Sequence, residues 1–217
     1  MLLPGNRTAR VWLGLVLVYL LFFSWYTSFG GPLTSEEISH YSRVVERNVG
    51  DDPERTAVWK QFMETDTGDD FGMISVLDLK ETPAPVQQIE PGESSEEVLA
   101  RYTEPFFGQA IRSAAHPVLA GSAAASAIDI WGIEGATDWS EGAVERWRSR
   151  RDFMQFLESM REDSSHSSIH DFKIAALEKT IAYPLDPWFH FGDPRIVLAL
   201  GFAVIGLAVQ AFSRRGR

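Results

Sequence analysis

Cysteine is absent from the 217 residues. That excludes disulfides, thiolate nucleophiles and thiolate-bound zinc or iron–sulfur centres. A folded region of about 150 residues can nevertheless stand on its apolar core alone. Histidine is scarce, with five in the chain. Neither a Gly-rich phosphate loop nor a G-x-S-x-G nucleophile elbow is present. Charge is missing from two long segments: Val11 to Phe29 is nineteen residues without a charged side chain, and Ile196 to Phe212 is seventeen. A run of about 20 apolar residues at 1.5 Å per residue matches a hydrocarbon core of roughly 30 Å, and a helix satisfies its own backbone in lipid. Both segments are therefore expected to be transmembrane helices, with the lipid bilayer as the first partner.

The flanks set an expected orientation. Arg7 and Arg10 precede the first segment, and Arg214, Arg215 and Arg217 follow the second. Basic residues close to membrane ends are retained in the cytoplasm. Both termini are expected inside and the intervening portion outside an inner or plasma membrane. That portion, through Arg195, holds all 30 acidic residues and fifteen of the 20 basic ones, a formal charge of −15 against +5 for the tails. So acidic a region repels itself and nucleic acid alike. The expected organisation is a cytoplasmic tail 1–10, a span 11–29, a helical lead-in 31–65, a folded domain 70–187, a span 196–212 and a tail 213–217. A cleaved signal peptide is the rival for the first segment. The run is long, however, and its bulky end, Ser24-Trp25-Tyr26-Thr27-Ser28-Phe29, is unlike a small-residue cleavage site. In the second span Ala199, Ala203, Gly206 and Gln210 recur at helical spacing. Small residues let helices approach and a Gln amide can bond across them, so this face is a candidate helix-packing surface.

Between the spans the pattern is α+β. Thr34 three residues before Glu37 is a capping-box signature, and Ile38, Tyr41, Val44 and Val45 follow at helical spacing. A second helix is expected from Pro53 to Met63, with proline in its first turn. Phe71 to Leu79 reads as a strand with Met73, Ser75, Leu77 and Leu79 on one face and Ile74 and Val76 on the other. Glu81 to Ser95, rich in Pro, Glu and Gln, reads as an exposed loop. A helix from Ser95 runs toward Ser113 despite Pro105. Strands are expected at Val118 to Gly121, Glu141 to Arg148 and Lys179 to Leu185. Helices are expected from Arg150 to Met160, capped by Ser149, and over Phe172 to Leu177, with a Ser-rich loop at 163–168 between them. The order strand–helix–strand–strand–helix–strand predicts a ferredoxin-like split βαβ domain with an antiparallel sheet. One helical layer leaves the other sheet face exposed and apolar. Layering predicts that a second copy or a membrane-protein partner covers it.

The runs Ser149-Arg150-Arg151-Asp152-Phe153-Met154 and Lys173-Ile174-Ala175-Ala176-Leu177-Glu178-Lys179-Thr180 resemble the dimeric α/β-barrel superfamily. His116-Pro117-Val118 with Gly121, and Gly31-Pro32-Leu33-Thr34, are similar to an uncharacterised, membrane-anchored branch of it related to a bacterial domain of unknown function. The resemblance covers about residues 31 to 185 and specifies no activity. Its superfamily includes cofactor-free monooxygenases, isomerases, a haem enzyme and pure binding proteins. The chain departs from the branch at Gly72 and Ser75, where an aromatic residue and Asn are expected. It departs again at Phe172, where the resemblance implies a second His beside His170.

The chemistry-bearing candidates are few. His116, before Pro117 at a strand entrance, has the residue type of a pocket base, but no carboxylate or nucleophile is fixed beside it in sequence. His166 and His170 stand at i, i+4, too few for a metal site by themselves. Arg148, Arg150 and Arg151, with Arg146, form a basic cluster suited either to an anionic ligand or to acidic neighbours such as Asp152, Glu158 or Glu178. Trp139, Trp147, Phe153 and Phe156 line a cavity or fill a core. No motif calls for a cofactor or a metal. The leading expectation is a non-catalytic, extracytoplasmic binding or assembly module, self-associating or docked on a membrane partner. The alternative is a cofactor-free enzyme, of monooxygenase or isomerase type, acting on a small apolar or aromatic substrate with His116 as base.

Overall fold

The computed structural model describes residues 7–49, 52–162 and 164–215. In chain order its elements are α1 (Arg7–Tyr26), α2 (Ser35–Val49), α3 (Pro53–Glu64), β1 (Phe71–Leu79), α4 (Ser95–Ala110), a 3-10 turn at Ile111–Ser113, β2 (His116–Ser122), β3 (Glu141–Trp147), α5 (Arg150–Glu162), α6 (Ser164–Ala176), β4 (Leu177–Leu185) and α7 (Pro194–Arg215). The chain divides into two units: the two ends, with α1 and α7, and the region Ser28–Asp186.

In the first unit α1 packs against α7. Both are long and apolar enough, by length and composition, to cross a membrane. At the start of α7 the Arg195 guanidinium grips Asp193 at 2.6 to 3.0 Å and lies 5.6 Å from the centroid of the buried Tyr26 ring. The one basic residue at this end of the helix is thus neutralised by its own neighbour.

Local sequence explains the helix starts of the second unit. The Thr34 and Glu37 side chains each accept the other's backbone N–H, at 3.2 and 2.8 Å. Asp52 accepts the Arg55 N–H at the head of α3, ahead of Pro53. Ser94 and Glu97 form the same reciprocal box on α4. Ser149 accepts the Asp152 N–H below α5. Each box satisfies donors that a helix start otherwise leaves open.

The sheet order is β2-β3-β1-β4, with every neighbouring pair antiparallel. With α4 between β1 and β2, and α5 and α6 between β3 and β4, this is the split βαβ arrangement of a ferredoxin-like fold. The strand limits of β1 are those that alternation predicts. The Ser-rich stretch is different. The sequence reads as a loop from 163 to 168, whereas α6 starts at Ser164 and runs unbroken to Ala176. Serine favours a helix cap but is neutral to unfavourable within a helix. What holds the helix is its second half, where Phe172, Ala175 and Ala176 are buried against Val98 and Leu99 of α4. Packing of an apolar face overrides weak local propensity.

The space between sheet and helices is filled by two separate apolar clusters. One joins Tyr41 and Val45 of α2, Phe62 and Met63 of α3, Phe71, Trp147, and Phe153, Met154 and Phe156 of α5. Its rings meet edge to face, with Trp147–Phe153 centroids 4.8 Å apart and Phe106–Phe156 also 4.8 Å. The other joins Val98, Leu99 and Tyr102 of α4 to Phe172, Ala175 and Leu177, beneath Leu77 and Leu79. On the opposite sheet face the register places Ile74 between Val144 and Tyr183, Val76 between Gly142 and Ile181, and Leu119 beside Val144. This face stays open: Leu119 is 69%, Tyr183 48%, Leu185 44% and Ile181 41% exposed.

Candidate functional site

The two apolar clusters meet on α4, where the Tyr102 and Phe106 ring centroids are 5.6 Å apart, and are parted on the sheet by polar residues. On β1, Met73 belongs to the first and Leu77 to the second, and Ser75 lies between them. On α4, Phe106 belongs to the first and Tyr102 to the second. Glu145 of β3 shares the helix-facing side with Trp147 and accepts a hydrogen bond from Ser75 Oγ at Oε2, 3.3 Å away. Lys173 of α6 places Nζ 5.3 Å from the centroid of the Tyr102 ring. Four elements therefore contribute a polar seam of Ser75, Tyr102, Glu145 and Lys173 between two greasy halves, and all four side chains are half-buried.

The electrostatics of the seam follow from burial. Desolvation pushes the Glu145 carboxyl up, against the opposing pull of the Ser75 hydrogen bond and the Lys173 charge. Desolvation pushes the Lys173 ammonium down, and Glu145 opposes it. Burial, aided by the Glu145 charge, raises the Tyr102 hydroxyl to about 12. Among the described residues no ion pair closes between Glu145 and Lys173, so each charge is held in a poorly solvating layer without direct contact with its opposite. Such a charge costs free energy unless paired or hydrogen-bonded.

Sequence reasoning did not find this seam. Ser75 and His170 enter it only as positions where the chain departs from or matches a resembled pattern. Glu145 carries one usable signal: a carboxylate at a position whose neighbours Ala143 and Trp147, two residues away on either side, face the core. His170, one turn before Lys173 on α6, is exposed.

The predicted candidates lie elsewhere. His116 is half-buried at the first position of β2, opposite Arg146 in the ladder, with Nδ1 3.0 Å from the carbonyl oxygen of Pro117. An open groove of about 540 Å³ lies between α2 and α3, lined by Ile38, Ser42, Arg43 and Glu46 among others, and His116 is not in it. The arginines are engaged by the protein. Arg148 forks onto Asp152 at 2.5 and 2.8 Å. Arg150 forks onto Asp186 at 2.8 and 2.9 Å, donates to the Phe62 carbonyl and to Thr65 Oγ1, and lies over the Phe62 ring at 4.8 Å. Arg151 forks onto Glu37 at 2.6 and 3.0 Å and donates to the Gly31 and Pro32 carbonyls, both at 2.9 Å. Arg146 bonds Asp70 and the Ala114 carbonyl, both at 3.1 Å. Arg150 and Arg151 thus tie the beginning and the end of the domain to the head of α5.

Trp147, Phe153 and Phe156 are core residues, and Trp139 is half-buried with Lys179 Nζ 4.9 Å from the centroid of its ring. The side chain of His166 lies outside the described residues, as does Arg217. Among the described residues no three His, Asp or Glu side chains converge as metal ligands. On α7, Gly206 is buried where an added Cβ would meet the Trp12 ring at 2.5 Å, and Ala199, Ala203 and Gln210 are half-buried.

No family model and no curated protein matches the chain. Among solved structures it is similar to a protein of unknown function from Rhodopseudomonas palustris, with 18% identity over 62% of this chain and 94% of that one and a TM-score of 0.48. A methylated form of the same protein gives 18% identity over 63% and 93%, with a TM-score of 0.49. A dimeric protein of unknown function and ferredoxin-like fold from Bacteroides fragilis matches at 9% identity over 54% and 96%, with a TM-score of 0.30.

Proposed function

We propose that the chain is a membrane-anchored assembly module whose acidic domain lies outside the cytoplasm and self-associates through the open face of its sheet. Two apolar helices at the chain ends and the arginines flanking them support the anchoring. Both termini are then cytoplasmic, in the inner or plasma membrane. The observation that carries the assembly reading is the row of Leu119, Ile181, Tyr183 and Leu185, exposed beside half-buried Ile74, Val76 and Val144. A contiguous apolar sheet face on a domain this acidic is a contact surface. Pairing it with its own copy closes an isologous interface with the layering of a sandwich.

Native mass measurement of the full chain in lipid nanodiscs tests association. A dimer is expected for the wild type and a monomer for Leu119→Glu plus Tyr183→Glu. A wild type that remains monomeric at micromolar concentration overturns self-association. Protease added to intact cells or spheroplasts tests the orientation, with digestion of the domain expected and full protection overturning it. The second reading, cofactor-free chemistry on a small apolar or aromatic substrate, draws its support from the polar seam and not from His116.

A further inference from the structure

We propose that the segment from Trp188 to Gly192, just ahead of α7, is a lipid-binding turn that lies in the headgroup layer of the bilayer with its aromatic rings against the acyl chains. The proposal rests on the membrane-anchored reading and adds to it a contact surface outside the span. Trp188 is 100%, Phe191 95% and Phe189 80% exposed, so nothing in the chain covers them. Single exposed apolar residues are ordinary, but three large rings so close in sequence make a patch. The patch is held in a defined turn. The Asp193 N–H donates to the His190 carbonyl at 3.2 Å, which closes the chain over 190–193. Gly192 takes φ +79 within it, the left-handed backbone that glycine adopts freely. Pro194 then opens α7. Only Gly192 and Asp193 separate Phe191 from that helix, so the rings lie at the depth of its first turn.

Length and charge then name lipid as the occupant. The apolar run from Ile196 to Phe212 is seventeen residues. At 1.5 Å per residue it spans about 25 Å, short of a hydrocarbon core of roughly 30 Å. A span that falls short draws on its flanking residues to fill the difference. At the far end Ser213, Arg214 and Arg215 offer nothing apolar, whereas at the near end the three rings do. Arg195 is no obstacle there, because Asp193 grips it at 2.6 to 3.0 Å and the pair enters the headgroups without an isolated charge. From Pro187 to Gly192 the chain has neither a carboxylate nor a Lys or Arg. An indole with its polar N–H suits the headgroup level, and phenyl rings suit the chains beneath it. A protein partner would have to meet these rings at the bilayer surface, whereas lipid is already there by continuity with α7.

The absence of cysteine makes any introduced thiol a unique labelling site. Phe191→Cys is the test variant. Leu200→Cys, on the exposed side of α7, and Ala124→Cys, on the exposed β2–β3 connection, are the references. Each carries a nitroxide on the full chain in phosphatidylcholine nanodiscs. Power-saturation EPR reads collisions with oxygen, which concentrates in lipid, and with a nickel chelate, which stays in water. The oxygen-to-nickel ratio of the Phe191→Cys label is expected to be several-fold above that of the Ala124→Cys label. A ratio equal to the Ala124→Cys value, with the Leu200→Cys label still in lipid, overturns the turn's placement and leaves the anchoring standing. A water-like ratio for Leu200→Cys overturns both. Few collisions of the Phe191→Cys label with either reagent mean that protein covers the turn, and overturn the proposal as well. The unlabelled chain gives an independent check. Subtracting the emission of Trp188→Phe from that of the wild type isolates Trp188 among the seven tryptophans. Lipid brominated near the glycerol end of its chains is expected to quench that emission, and unquenched Trp188 emission overturns the proposal.

Discussion

Gly68 and Asp66 show what one residue can control in this domain. Asp66 Oδ2 accepts the Leu33 N–H at 2.8 Å and its Oδ1 accepts the Gly68 N–H at 3.0 Å, so the carboxylate ties the domain's first residues to the turn before β1. Gly68 has φ +82, and a Cβ there would sit 2.3 Å from the Gly31 carbonyl carbon. Only glycine accepts both the left-handed backbone and the close approach. Gly68→Ala is expected to cost about 2 kcal/mol or more, from strain alone about 1–3 kcal/mol. Thermal unfolding should show it as a drop of roughly 2–4 °C per kcal/mol for a chain of this size. Glu37 makes a pH prediction. Its hydrogen bonds to Arg151 hold it at about 2, against an ordinary 4.5. A depressed carboxylate contributes stability that is present above the unfolded value and lost as pH falls through the folded one. The difference in stability between wild type and Glu37→Gln should thus be full at neutral pH and vanish between about 4.5 and 2. Acid unfolding of the two proteins measures it; a difference independent of pH would assign Glu37 a packing role instead.

At the scale of elements, local grammar and tertiary packing divide the fold between them. The start of α4 was legible from Ser95-Glu96-Glu97, while the cap itself is Ser94, whose side chain and that of Glu97 each accept the other's backbone N–H; Ser94→Ala is expected to cost about 1 kcal/mol, read as a lowered unfolding midpoint. β1 was legible because its two faces alternate cleanly between Met73, Leu77 and Leu79 and Ile74 and Val76. The first half of α6 was not legible, because its serines carry no periodic signal and its stability comes from Phe172 and Ala176 two turns on. The polar seam escaped for a related reason. Ser75, Tyr102, Glu145 and Lys173 are spread over 99 positions of sequence, and only the register of β1 with β3 and the packing of α4 on α6 bring them together. The arginine run was visible, but its partners Glu37 and Asp186 are 114 and 36 positions from the residues they hold. In the chain-end unit, Gly206 meets Trp12, so Gly206→Leu should force the ring aside and loosen α1 from α7. Faster protease cleavage at the helix ends in detergent would register that loosening, and an unchanged rate would show the Trp12 ring to be freely displaceable.

For the whole molecule, charge and apolar area pull in opposite directions, and that contest makes association testable beyond its existence. The region between the two apolar helices carries a formal charge of −15, so two copies brought face to face repel each other. The proposed contact surface, Leu119, Ile181, Tyr183 and Leu185 with Ile74, Val76 and Val144, consists of uncharged residues. The attraction is therefore hydrophobic, worth about 25 cal/mol per Å² of apolar surface removed from water, while the opposition is long-range and screened over about 10 Å at 0.1 M salt. Raising the salt should weaken the repulsion and leave the attraction intact. Dimerisation of the full chain in nanodiscs is thus expected to tighten with added sodium chloride, and the Tyr183→Glu variant to lose most of its affinity at every salt concentration. An interface held by ion pairs behaves in the reverse way, loosening as salt rises. That outcome would move the contact away from the sheet face and onto the charged helical side, where Arg43, Glu46, Lys60 and Glu64 line the groove between α2 and α3.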